Sequence, residues 1–407
     1  MAETQTASGS LEDLIVLAGR LLDAGQDAAA DDVARQVLDQ APNVAPLWFY
    51  RAVAAANRYD LRQAIEHAEK AVGLNDRKPR FHAFLLKLYE RLGLYERALR
   101  HVAGRAKGFA DADLDATVDR IRAARDRMTL CAYRHQGDER IDLSDVTFVI
   151  PLYVESEDRL RNLEIVLRFI ARHFRTHVLV VEDTGKGTGG TAKNIAAGLG
   201  FEHMAIGDND TPYFHKTWMV NRGIQKSTTP MVVVHDSDIA MNRLQYVLAR
   251  DAIRDGSDAA FPYNGTFIDT PSENFGAFAE SLDIVALDPL APGNDFPGIT
   301  GYGGAVFFSR HAFDTSGGFN ETIVAWGLED REMIERLEKL GMSARRGDGP
   351  LFHLRHVRTV NSNETHPFWA ANVRILDEIR DMDRAALAAA ASEGRFRRPL
   401  IRKTDLA

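Results

Sequence analysis

The stretch Met231-Val232-Val233-Val234-His235-Asp236-Ser237-Asp238 runs four apolar residues straight into two acids spaced by one. An unbroken Met/Val run reads as a strand buried on both faces of a parallel sheet. In open α/β sheets the carboxyl ends of the strands are where ligands bind. Two carboxylates there offer hard oxygen ligands to Mg²⁺ or Mn²⁺ holding a diphosphate. The plainer alternative is a strand that ends in a solvated Asp turn.

At 407 residues the chain is long enough for two or three domains, and 45% hydrophobic with 27% charged residues is ordinary for a soluble globular protein. A net charge of −8 argues against nucleic acid as a partner. The single cysteine, Cys131, excludes an intrachain disulfide and a Cys-based metal site. Met1 to Ser10 is small and polar and reads as neither a signal nor a transit peptide. No stretch reaches the roughly 18 to 20 apolar residues of a transmembrane helix. A cytoplasmic protein is expected, with peripheral contact at the inner face of a membrane left open. Arg395, Arg397, Arg398, Arg402 and Lys403 form a basic tail. It is expected to be a solvated, partly disordered end, the alternative being a membrane-surface anchor.

Residues 11 to about 105 are rich in Ala and Leu at helical spacing, and Ala30, Ala64 and Ala98 recur every 34 residues, each after a short polar turn. That period, with Trp48, Ala52, Leu85, Leu86 and Tyr89 at matching offsets, resembles tetratricopeptide repeats, in which small residues let paired helices approach closely. A plain helical bundle is the alternative. The expected organisation is a repeat domain over 1–132, a linker over 133–144, an α/β domain over 145–380, and a C-terminal helix with the basic tail over 381–407. In the α/β part Val146–Ile150 reads as the first strand, Glu157–Phe174 as a helix and His177–Val181 as a second strand. Strand and helix then alternate to Asp238, which predicts βαβ units.

Polar groups gather at the strand ends. Ile150-Pro151-Leu152-Tyr153 closes the first strand and Val181-Glu182-Asp183-Thr184 the second. Glu182 and Asp183 can accept from a base N–H or a ribose hydroxyl, or simply cap a turn. The loop Lys186-Gly187-Thr188-Gly189-Gly190 lacks the order of a phosphate-binding motif and reads as a flexible loop. Lys216 or Arg222, on the helix before the Asp-Ser-Asp strand, is a candidate to neutralise a diphosphate, or else a face charge. Gly303-Gly304 before the strand Ala305–Ser309 permits close backbone approach to a ligand. Trp326-Gly327-Leu328-Glu329-Asp330 puts an indole and a Gly before two acids that open a helix, either as caps or as a sugar-stacking wall beside a general base. Leu351-Phe352-His353-Leu354-Arg355-His356 alternates apolar residues with two histidines and sets His353 on the polar side of an extended segment, as a third metal ligand or a structural residue, and the sequence leaves open whether His353 or His356 is that ligand.

Together these residues resemble a GT-A glycosyltransferase, close to the β-1,4-galactosyltransferase-like group and inverting relatives, over Asp145 to Arg380. The resemblance rests on Tyr213 to Asn242, on Gly303-Gly304-Ala305 through Gly317-Gly318-Phe319-Asn320 to Trp326-Gly327-x-Glu329-Asp330, and on His353-Leu-x-His356. It implies a Rossmann-like mixed sheet with an N-terminal all-α repeat domain. It implies Mn²⁺ (or Mg²⁺) held by Asp238 with Asp236 and His353, Asp330 as catalytic base, and Glu329 on acceptor or donor hydroxyls. Pro151, Tyr153, Glu182, Asp183, Lys216, Asn221, Asp236, Gly304 and Trp326 are the implied donor-binding set. Two positions depart from the family: its second Gly before Glu-Asp is Leu328, and the acid after Asp330 is Arg331. The usual Golgi anchor and cysteines are absent, which suggests a bacterial origin.

The expected activity is metal-dependent inverting transfer of a hexose or N-acetylhexosamine from a UDP-sugar to a hydroxyl of a glycan or protein acceptor. The repeats would bind the acceptor, a partner protein or a second copy of the chain. Asp330, at a helix N-terminus, is expected to keep a low pKa and be ionised at neutral pH. The alternatives are a catalytically inactive repeat adaptor and a sugar nucleotidyltransferase.

Overall fold

The structure is a computed structural model and describes residues 10–105, 111–184, 190–207, 209, 211–298 and 300–398. Backbone contacts divide the chain into one unit of Met1–Leu130 with Asn294–Gly298 and a second of Cys131–Gly293 with Ile299–Ala407.

The first unit is helical. Helices begin at Leu11, Ala45 and Pro79, and at Asp27, Leu61 and Tyr95, two interleaved series that each step by 34 residues. Local signals set these starts. Ser10 and Asp13 form a reciprocal capping box, Asp60 accepts from the Gln63 N–H, and Pro79 occupies the first helical position, where its missing N–H costs nothing. Ala30, Ala64 and Ala98 are all fully buried, which is what close helix approach requires.

The second unit is built on a seven-stranded mixed sheet. Its strands, with those of a smaller sheet, are β1 (Ile141–Tyr153), β2 (Phe174–Asp183), β3 (Glu202–Ile206), β4 (Met231–His235), β5 (Ile239–Ala240), β6 (Ala259–Phe261), β7 (Phe267–Thr270), β8 (Ala305–Ser309), β9 (Ala344–Arg346) and β10 (Leu351–Leu354). The large sheet has the order β3-β2-β1-β4-β8-β6-β9, and the small one β5-β10-β7. β3, β2, β1 and β4 run parallel, whereas β8 is antiparallel to both β4 and β6. The apolar run Met231–Val234 is buried at the centre of the large sheet, and the Asp-Ser-Asp turn emerges from its carboxyl edge.

Three expectations need correction. β1 starts at Ile141 rather than Val146: Ile141 and Leu143 are fully buried and pair with Phe174 and Thr176, ahead of a register shift between Leu143 and Thr147. The last four residues of the expected linker, 141–144, are therefore strand. Polar residues at 142 and 144 masked the alternation, because every second residue of that stretch faces solvent. The Ala112–Arg134 helix likewise runs past residue 132. The start of the basic tail is packed, not solvated: Phe396 is buried with Leu340, Ile379, Leu387 and Ala390, and Arg397 pairs with Glu321. Residues 399–407 and the loop at 185–189 lie outside the described residues.

The helix Lys216–Lys226 brings Lys216 to the sheet edge, and Gly223 sets how close it lies. A Cβ at Gly223 would fall 2.6 Å from Val149 Cγ1 on β1 and 2.8 Å from Val181 Cγ2 on β2. In an open helix Gly→Ala gains about 1 kcal/mol. Here the sign reverses, and Gly223→Ala is expected to destabilise by about 1–3 kcal/mol through overpacking. Urea unfolding monitored by circular dichroism checks this; a variant as stable as the parent, or more so, would show that the helix does not sit on the sheet this closely.

Candidate active site

The Asp236-Ser237-Asp238 turn is fixed through its backbone. The Asp236 N–H donates to Gly304 O at 2.7 Å, and the Leu354 N–H donates to Asp238 O at 2.7 Å. Its two acids then serve different neighbourhoods.

Asp236 faces a buried lysine. Lys216 Nζ lies 3.2 Å from Asp236 Oδ1, 3.2 Å from Glu329 Oε1 and 2.9 Å from Asp330 Oδ2. Burial opposes the charge on Lys216, but the three carboxylates outweigh it and hold the ammonium well above its ordinary pKa. One cation among three acids leaves an excess of negative charge, and Asp330 shows its effect. Burial raises its carboxyl most, Lys216 opposes, and Glu329 and Asp236 add to the rise, so that its pKa is pushed up to about 7. This reverses the expectation of a low value. The helix Glu329–Lys339 does begin there, but desolvation and like charges dominate its favourable end. Glu329 is more deeply buried, and its Oε2 has no hydrogen-bond partner among the described residues.

The approach of Asp330 depends on Gly303, where any Cβ would strike the Asp330 carboxylate. The preceding loop is strained. Ala325 and Leu328 hold φ of 61° and 74°, the left-handed region that costs an L-residue about 1–2 kcal/mol. Leu328 stands where the resemblance calls for Gly, and it keeps the glycine conformation. Trp326 in this loop is 39% exposed and stacks on Trp369 with ring centroids 5.9 Å apart.

Asp238 faces two histidines. His356 Nε2 is 3.2 Å from Asp238 Oδ2, and His353 Nε2 is 3.8 Å from Asp238 Oδ1. The Nδ1 atoms are engaged elsewhere, His353 with Asp269 Oδ1 at 2.7 Å and His356 with the Val357 carbonyl at 2.8 Å. Each ring thus turns Nε2 toward the carboxylate, the orientation that a metal-ligating imidazole needs. These three residues form the one cluster among the described residues whose ligand atoms converge enough for an ion, all lying within 4.8 Å of one another. A carboxylate with two imidazoles suits Mn²⁺ better than Mg²⁺, which prefers oxygen alone. Arg159 NH1 lies 3.3 Å from Asp238 Oδ2. Burial opposes ionisation of Asp238, yet His353, His356 and Arg159 hold its carboxyl well below the usual range.

The structure rearranges the expected metal set. Asp236 lies on Lys216, whereas Asp238 lies beside His353 and also His356. Among the donor-binding candidates, Lys216 and Asp236 lie together beside Asp330. Gly304, with φ of 83°, has no room for a Cβ against Leu351 and packs the turn onto β10. Pro151 is buried within β1 beside Val181 of β2, and Tyr153 at the end of β1 stacks on Phe214 with centroids 5.9 Å apart. Asp183, at the end of β2, accepts from the Asn209 side-chain amide. Glu182 turns to the other face, where it pairs with His203 at 2.6 Å. Asn221 is spent on structure: its amide donates to Phe319 O and Glu321 Oε1 and accepts from the Phe319 N–H, each at 2.9 Å. Arg222 pairs with Glu321 and lies over Trp218 rather than at the site. Asp269 and Gly303 were not foreseen. Asp269 lies in a four-residue strand with no motif, and Gly303 stands out in the sequence only for backbone approach.

Residues 285–360 match the family model described as the N-terminal domain of galactosyltransferase, a span that holds Gly303, Trp326, Glu329, Asp330, His353 and His356. No curated protein matches the chain. Among solved structures it is similar to S. aureus TarS in complex with UDP-GlcNAc, at 13% identity over 62% of this chain and 72% of that one, with a TM-score of 0.42. It is also similar to the mannosyltransferase PcManGT from Pyrobaculum calidifontis in complex with GDP-Man and Mn²⁺, at 15% identity over 68% and 85% and a TM-score of 0.37. A third is the catalytic domain of Drosophila β1,4-galactosyltransferase 7 with xylobiose, at 15% identity over 52% and 71% and a TM-score of 0.33. The functional reading therefore rests on the site itself.

Removing the lysine leaves buried carboxylates without their counter-charge. Lys216→Met is expected to cost about 3–5 kcal/mol. Asp330, already raised to about 7, would lose the ammonium that opposes the rise, so the penalty should shrink at pH 5 and grow at pH 8. Denaturant unfolding at both pH values checks this; a penalty independent of pH would mean that Lys216 does not neutralise the acids.

Proposed function

We propose that this chain is a metal-dependent, inverting glycosyltransferase that moves a hexose or N-acetylhexosamine from a UDP-sugar to a hydroxyl of a glycan or protein. The observation that carries the reading is the division of the Asp-Ser-Asp turn. Two residues apart, one acid joins a two-histidine metal cluster and the other joins the lysine that holds a buried carboxylate of raised pKa.

Inverting transfer needs a base on the attacking side and charge neutralisation on the leaving side. Asp330 is the base: as the acceptor oxygen bonds to the anomeric carbon and the bond to the diphosphate breaks, the hydroxyl proton passes to the Asp330 carboxylate. A pKa near 7 suits this task, because it balances the ionised fraction against basicity. Glu329, with a buried oxygen left to accept, holds a sugar hydroxyl. Lys216 keeps Asp330, Glu329 and Asp236 in one place. Asp238, His353 and His356 hold Mn²⁺, which when bound supplies Lewis-acid stabilisation to the diphosphate. Asp269 keeps the His353 ring in its ligating orientation. Pro151, Tyr153 and Asp183, at the ends of β1 and β2, form the uridine side, and Trp326 lines the sugar site. The helical unit, with its 34-residue step, is read as tetratricopeptide-like and as the part that engages an acceptor or partner protein. No helix of the described residues is long and apolar enough to cross a membrane.

Asp330→Asn keeps the size and the helix start but cannot take a proton. Turnover is expected to fall by about 10²-fold or more while donor binding persists. In the parent, kcat/KM should rise with pH through about 7 and level off above it, since the base must be ionised, and Asp330→Asn should lose that limb. Single-turnover rates at saturating donor across pH 5.5–8.5 check both. A nearly silent Asp330→Asn beside an inactive Glu329→Gln would transfer the role to Glu329.

A further inference from the structure

We infer that the acceptor carries an anionic group, phosphate or carboxylate, held by Arg331 and Arg346, which both lie against Tyr302; this rests on the transferase reading and names its acceptor class. Arg331 directly follows the candidate base in the first turn of its helix, where the resemblance calls for an acid. Its guanidinium carbon lies 5.6 Å from the centroid of the Tyr302 ring, and that of Arg346 lies 5.2 Å from the same ring. Arg346 also lies 4.2 Å from the Phe261 centroid, so two aromatic rings hold it in place. Tyr302 adjoins Gly303, the residue pressed against the Asp330 carboxylate, and the Tyr263 hydroxyl donates to Gly303 O at 2.7 Å. Both guanidinium groups therefore lie against the ring that adjoins the seat of the base.

Helix stability does not explain Arg331. A cation in the first turn opposes the helix dipole, and Arg before Glu at i,i+4 is the weaker orientation of such a pair. Its partner Glu335, at 2.6 Å, is already bound by Arg380 through two contacts of 2.7 and 2.8 Å. Arg380 also reaches Asp377 at 3.2 Å. Arg346 is exposed and makes no ion pair among the described residues. Glu335 takes the Nε–H of Arg331 and Tyr263 one donor of Arg346, but a guanidinium carries five N–H donors, and the remaining ones form a planar fork that matches carboxylate and phosphate. An acceptor bound there would bring its hydroxyl to Asp330 with its anion on the arginines.

The test uses the full chain and three probes that differ only at one carbon: glucose, glucuronate and glucose 6-phosphate. Binding is measured calorimetrically without metal, so that no ion can capture the anion. At least one anionic probe is expected to bind about 10-fold or more tighter than glucose, and the phosphate and carboxylate arms report which anion is preferred. The double variant Arg331→Ala/Arg346→Ala should bring that advantage below about 3-fold, with circular dichroism and Mn²⁺ affinity unchanged. Equal binding of all three probes, or an anion preference that survives in the double variant, overturns the proposal. Absence of Mn²⁺ binding in the parent chain would instead overturn the transferase reading.

Discussion

A single buried ammonium organises this site. Lys216 touches one acid from the turn after β4 and two from the start of the Glu329–Lys339 helix, so it ties together segments about a hundred residues apart in sequence. Three carboxylates packed this closely would repel one another and resist burial without it. With it, the negative charge still exceeds the positive, and burial first, with the neighbouring carboxylates of Glu329 and Asp236 adding to it, lifts the Asp330 carboxyl into the neutral range. The structural role of Lys216 and the chemical usefulness of Asp330 follow from the same arrangement. The glycine at 303 and the close seat of the Lys216 helix at Gly223 are the steric conditions for it.

The loop from Ala325 to Leu328 shows how the backbone meets this demand. Two non-glycine residues adopt left-handed conformations so that Trp326 stays exposed while Glu329 and Asp330 turn inward. Such strain persists only where surrounding contacts enforce it. Those contacts are the stack of Trp326 on Trp369, the His366 imidazole on Trp326 O at 2.8 Å, and the Lys216 ion pairs behind. Leu328 in a glycine-like conformation indicates that position in the loop, not residue identity, sets the backbone here.

Much of this architecture was legible in the sequence because it depends on local pattern. The Met231–Val234 run, the 34-residue step of small residues and the paired acids after Trp326-Gly327 each carry a period or a composition that physics ties to one structure. Pairings across the fold were less accessible. Asp236 and Asp238 look equivalent in sequence, and only the positions of Lys216 and His356 separate their roles. Asn221 and Glu182 sit beside informative motifs, yet their partners, Phe319 with Glu321 and His203, come from distant segments. The low pKa expected for Asp330 followed from the helix terminus alone. Burial and the carboxylates of Asp236 and Glu329, which oppose it, come only with the assembled site.

The central claim is that the two acids of one turn divide the work, with Asp238 joining His353 and His356 around the ion while Asp236 stays on Lys216. Crystals grown with Mn²⁺ and UDP, measured at the manganese absorption edge, test it most directly. The account predicts one anomalous peak within coordination distance, about 2.0–2.3 Å, of Asp238 and both histidine Nε2 atoms, with Asp236 still paired to Lys216. A peak bridging Asp236 and Asp238, with Lys216 displaced or His356 turned away, would contradict it.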